Sequence, residues 1–97
     1  MTFAEFRSSL KNSATPPQVT PLLQAMWYDA KGDWERAHEI CQEIENRDGA
    51  HIHAYLHRKE GDLSNAGYWY RKAGRNTPSV SLDEEWEMIV SELLEHD

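Results

Sequence analysis

The frame Gly-Asp-(Trp/Leu)-x-x-Ala occurs twice, as Gly32-Asp33-Trp34-Glu35-Arg36-Ala37 and as Gly61-Asp62-Leu63-Ser64-Asn65-Ala66, 29 residues apart. A fixed period of this order is the signature of stacked helical hairpins, in which one hairpin cannot bury its apolar face without a neighbour. The repeat therefore predicts an all-α protein: a short stack of helical hairpins, five to six helices in all, closed by an amphipathic capping helix at its C-terminal end.

The local signals agree with that frame. Thr20-Pro21 offers an N-cap followed by proline at the first helical position, where the missing N–H costs nothing. Leu22, Leu23, Met26, Trp27 and Ala30 then recur at helical spacing. Gly32 turns the chain and Asp33 caps a second helix carrying Trp34, Ala37, Cys41 and Ile44 on one stripe. The second hairpin repeats the grammar: Asp48 is expected to cap a helix to Glu60, Gly61 to turn, and Asp62 to cap a helix whose inward stripe is Leu63, Ala66, Gly67, Tyr70 and Ala73. The hairpins should span 20–46 and 48–75. Thr2-Phe3-Ala4-Glu5 and Ser81-Leu82-Asp83-Glu84 both read as capping boxes. The first opens a short helix with Phe3, Phe6 and Leu10 on its apolar edge. The second opens the capping helix, 81–96, whose Leu82, Trp86, Ile89, Val90, Leu93 and Leu94 form the cleanest apolar face in the chain.

Ninety-seven residues suffice for one domain with a single modest core. A single cysteine, Cys41, excludes an intrachain disulfide. There is no charged-then-apolar leader and no apolar run long enough to span a bilayer, so a cytoplasmic, reducing compartment and no membrane partner are expected. The net charge of −7 is concentrated in 81–97, which holds seven acidic residues and neither Lys nor Arg. Arg58, Lys59, Arg71, Lys72 and Arg75 make the second hairpin locally basic. An acidic chain of this kind is a poor partner for nucleic acid, whereas a local basic face suits a small anion.

The second unit resembles a tetratricopeptide repeat. Ala54, Gly61, Asp62, Ala66, Tyr70, Ala73 and Pro78 follow that family's order of small, turn, small, aromatic, small and proline positions, and the resemblance covers roughly Thr20 to Pro78. The period of 29 is shorter than the ~34 of the family, and two units are fewer than the ~3 it normally needs. The flanking helices are expected to make up the deficit. The stretch from His53 through Arg71 is also similar to small bacterial proteins, a likeness that implies no activity. The tetratricopeptide resemblance implies a protein-interaction module.

In that alignment His53 and His57 fall where a leucine and a tyrosine are usual. They lie four apart on one helix face, with His51 nearby and Glu60 one turn further on. His38 and Cys41, three apart on the preceding helix, face the same general seam. A metal site of His38, Cys41, His53 and His57 can be written down, but HAYLH lacks the glutamate of H-E-x-x-H, and a free cysteine is commonly a small buried hydrophobe. Histidines hydrogen-bonded to Tyr28, Asn65 or a backbone carbonyl are the simpler expectation, with no cofactor and no metal.

Tyr68-Trp69-Tyr70-Arg71 is the second notable run. Tyr70 belongs to the core stripe, which leaves Trp69 and Tyr68 to other surfaces beside Arg58, Arg71 and Arg75. Such a face suits a carboxylate, a phosphate or a peptide. The plainer alternative pairs Arg71, Lys72 and Arg75 with Glu84, Glu85 or Glu87. A Cys41–His38 nucleophile–base pair lacks an oxyanion hole and an orienting group, so catalysis is not the leading reading. The sequence thus favours a small protein- or peptide-binding module using His53, His57, Arg58, Trp69, Tyr70 and Arg71, with self-association as a homodimer a variant of it. The second reading is a small-ligand or metal-binding protein, with or without acid–base catalysis, centred on His53 and His57.

Overall fold

The computed structural model describes residues 1–95, which contain six α-helices and no strand. Helix α1 (Phe3–Ser8) opens with the full Thr2/Glu5 capping box and runs into a short 3-10 turn at Ser9–Lys11. Helices α2 (Pro21–Ala30) and α3 (Trp34–Gln42) form the first hairpin, and α4 (Arg47–Glu60) and α5 (Leu63–Lys72) the second. Thr20, Asp33 and Asp62 accept hydrogen bonds from the backbone N–H groups of Leu23, Arg36 and Asn65, so each predicted cap satisfies an otherwise orphaned donor. Gly32 and Gly61 turn the hairpins at φ 88° and 90°, where a side chain would be strained.

Three expectations need correction. Helix α4 is capped by Asn46, which accepts from Gly49 N–H at 2.7 Å, and Asp48 lies exposed within the first turn. The early start is possible because residue 49 has no side chain: a Cβ there would sit 2.2 Å from the Ile44 carbonyl oxygen. Ile44 lies beyond the end of α3, and Leu63, predicted to face inward, is 67% exposed. Helix α6 spans Leu82–Glu95, and the last predicted residue of the cap, 96, lies outside the described residues.

The core lies between the first hairpin, α4 and α6. Phe6, Leu23, Met26, Trp27, Ala37, Ile52, Leu56 and Val90 are essentially inaccessible, and a smaller cluster of Ala54, Ala66 and Tyr70 joins α4 to α5. Ser81 caps α6 by accepting from Glu84 N–H. Trp86 and Ile89 then turn inward, and Trp86 donates its indole N–H to the Met26 carbonyl at 3.0 Å. Phe3 and Phe6 of α1 close over Trp86 at ring separations of 5.9 and 6.0 Å.

Two buried carboxylates tie the layers together. Asp29 of α2 accepts from Tyr55 O–H at 3.0 Å and from Lys59 Nζ at 2.9 Å, both on α4. Glu85 of α6 accepts from Arg58 Nη1 at 2.8 Å and from Tyr70 O–H at 2.6 Å, with His51 Nε2 at 3.3 Å. Burial pushes the Glu85 carboxyl up, but the hydrogen bonds from His51, Tyr70 and Arg58 outweigh it and hold the group below its ordinary value.

Candidate functional site

The opposite face of α4 carries the histidines. Successive residues on a helix turn by about 100°, so His53 and His57 stand only ~40° apart on that face. Both are buried, at 7% and 8% exposure, and α3 brings His38 against them. The Nε2 atoms of His38 and His53 are 3.0 Å apart, a hydrogen bond in which one ring donates and the other accepts. The His53 and His57 rings stack at 4.8 Å, and a ring nitrogen from each of the three histidines lies within 4.8 Å of the others.

Two tryptophans hold this cluster from either side. Trp34 stacks on His38 at 4.9 Å and is fixed by donating its indole N–H to the Leu56 carbonyl at 2.8 Å. Trp69 stacks on His53 at 3.9 Å with the planes 12° apart. His57 donates from Nδ1 to Glu60 Oε2 at 3.3 Å, while its Nε2 faces the Asn65 side-chain amide at 3.4 Å. Asn65 is thus the polar partner expected for the pair. Tyr28 is not: its ring packs on Trp27 and under the Arg36 guanidinium. Burial, reinforced by the neighbouring His38 and His57, pushes His53 down to about 4, and His38 is lowered by burial and then by His57. Both rings are therefore neutral at physiological pH.

His53 and Trp69 also face a cleft of about 430 Å³ between the start of α4 and the end of α5. Its far walls are Ile44, Asn46, Gly49 and Ala50, and its rim carries Arg47 and Lys72. Lys72 Nζ stands 5.0 Å from the Trp69 ring and 5.5 Å from Tyr68, and the Arg47 guanidinium lies against Gly74. Neither cation has a carboxylate within 4.0 Å among the described residues.

The residues singled out from sequence therefore separate. His53 and Trp69 line the cleft, and His57 sits behind His53. Arg58 and Tyr70 are engaged with Glu85 inside the protein, Arg58 also donating to the Val80 carbonyl, so neither is offered to a partner. Arg71 is exposed but does not line the cleft. The pairing expected for Arg75 is made with Glu92 at 2.7 Å instead of an earlier glutamate. His51 lies on the far side of α4, against Glu85. Cys41 also lines the cleft, but its thiol donates to the His38 carbonyl at 3.4 Å and burial pushes it up to about 12, so it supplies neither a thiolate nucleophile nor a member of the histidine cluster. No sequence signal marks Arg47 and Asn46, because Asp48 is as good a helix cap as Asn46. The chain matches no family model, no curated protein and no solved structure. No helix among the described residues is long and apolar enough to cross a membrane.

Proposed function

We propose that this protein is a small helical-hairpin interaction module, tetratricopeptide-like in design, that takes an extended acidic peptide segment of another protein in the cleft between α4 and α5. The observation that carries this reading is the Trp69 plate set beside Lys72 and Arg47, two cations with no carboxylate partner among the described residues. Rigid aromatic surface supplies contact area at little entropic cost, and charge-assisted hydrogen bonds to a carboxylate are worth about 1.5–3 kcal/mol. The N-terminal end of α4 adds the positive end of a 14-residue helix to the same wall. Arg47 and Lys72 take the place of Arg58 and Arg71, the cations expected from the sequence. The buried free thiol of Cys41 fits a reducing, cytoplasmic setting.

Fluorescence anisotropy against matched acidic, neutral and basic peptide libraries tests the proposal. Acidic peptides should be selected, binding should weaken as salt is raised, and the Arg47→Ala/Lys72→Ala and Trp69→Ala variants should each lose tenfold or more. Equal binding of the three libraries, or undiminished binding by both variants, would exclude the cleft.

A further inference from the structure

We infer that His38, His53 and His57 form a binding site for a divalent transition-metal ion of the zinc class, coordinated by imidazole nitrogen alone. The inference does not rest on the occupant of the cleft, since His38 and His57 do not line it.

The geometry comes first. A tetrahedral ion held at about 2.0–2.1 Å keeps its nitrogen ligands roughly 3.3–3.4 Å apart. His38 Nε2 and His53 Nε2 are already 3.0 Å apart, and the third ring offers a nitrogen within 4.8 Å of both. A small opening of the first pair and a rotation of His57 towards it would complete three corners. The fourth corner is left to water or a solute, the arrangement of an open zinc site as distinct from a closed structural one.

The donor set suits the ion. One of the paired Nε2 atoms carries the proton of their mutual hydrogen bond, and its move to Nδ1 of the same ring leaves both lone pairs free for an ion. His57 receives the further device that metal-binding histidines use: Glu60 accepts from its Nδ1–H, which fixes the tautomer and leaves the lone pair on Nε2. Asn65 donates to that lone pair at 3.4 Å, a long contact that a metal would displace at little cost. The frame is stiff, because Trp34 is stacked on His38 and bonded to Leu56, and Trp69 is stacked on His53. Imidazole donors select zinc, copper, cobalt and nickel over magnesium and calcium, which require oxygen. The neighbouring trio of His57, Glu60 and Asp62 shares His57 with this cluster, and both its carboxylates are exposed, so it is not a separate site.

The test uses the full chain without an affinity tag. Titration with Zn²⁺ should give saturable one-to-one heat, Co²⁺ should give the intense visible absorption of a four-coordinate site, and Cu²⁺ should quench tryptophan emission because two indoles stack on the ligands. Mg²⁺ and Ca²⁺ should do none of this. His38→Gln and His57→Gln should each weaken Zn²⁺ binding at least tenfold, with circular dichroism confirming that they fold. X-ray absorption at the zinc edge of the unmodified chain provides a readout that needs no variant, and should show three imidazoles. No heat and no quenching at millimolar metal would overturn the inference, as would a zinc shell of oxygen or sulfur with fewer than two imidazoles.

Discussion

Glu85 should be the side chain whose loss costs most stability. Its carboxylate is 2% exposed and neutralises Arg58, whose side chain is only 17% exposed. Replacing Glu85 by alanine leaves that guanidinium with the Val80 carbonyl and no counter-charge, a situation worth about 3–5 kcal/mol. Tyr70 simultaneously loses a charge-assisted acceptor, worth about 1.5–3 kcal/mol on its own and partly counted in the first figure. A domain of this size has a total stability of roughly 5–15 kcal/mol, so Glu85→Ala should remove a large share of it. Urea unfolding followed by circular dichroism measures this, with Tyr70→Phe as a milder comparison expected at about 1.5–3 kcal/mol. The same carboxylate sets a pH dependence. Its native value lies below the ordinary one, so the unfolded chain binds more protons in the interval between them; the contribution is fully present above the ordinary carboxylate value and is lost as pH falls through the native one. A Glu85→Ala variant within ~0.5 kcal/mol of the parent would refute the reasoning and show that Arg58 finds water when its partner is removed.

Three other outcomes follow from the same geometry. Gly49→Ala should destabilise by about 1–3 kcal/mol in urea, because its Cβ would meet a backbone carbonyl at 2.2 Å; an unchanged midpoint would mean that α4 starts elsewhere. His53 should remain neutral at about pH 5 in an NMR titration. Its native value is about 4 against an ordinary 6.5, so the unfolded chain binds more protons between these values, and its neutral burial should make stability fall as pH drops from 6.5 towards 4; a ring that charges near 6.5 would show that water reaches it. Deleting 81–97 uncovers the partners of Trp86, Ile89, Val90 and Leu93, each worth about 1.5–3 kcal/mol when buried, and light scattering should report aggregation, whereas a monomeric, folded remainder would contradict the capping role.

The helices were legible because their signals are local. Thr20, Asp33 and Asp62 cap where the sequence placed caps, and Gly32 and Gly61 turn where the repeat placed turns. Asp48 misled because an aspartate is as good a cap as an asparagine, and only the approach of the Ile44 carbonyl to Gly49 decides between them. The cleft was less legible. Lys72 and Arg47 lie on different elements and meet only when α5 folds back on α4, and nothing in the spacing of Arg58 announces that Glu85, 27 residues later, will claim it.

Helix α4 shows where that limit falls. At about 100° per residue, Tyr55, Arg58 and Lys59 stand within ~80° of His51, whereas His53 and His57 stand roughly 200° and 240° around from it. That division follows from the sequence, and it separates His51 from the other two histidines before any coordinate is known. What it does not say is which element covers each side. The His51 side receives α2 and α6 with Asp29 and Glu85, so its polar groups are spent on holding the layers together. The His53 side receives α3 and α5, which bring a third imidazole and two indoles, with the Asp62 carboxylate near His57 at the edge beside Glu60 of α4 itself. Histidines on one helix thus meet opposite fates because the helices packed on each side supply opposite chemistry. On the first side an acid gives the imidazole a structural partner. On the second, three imidazoles pack on one another and on two indoles, with Glu60 and Asn65 as the polar partners of His57.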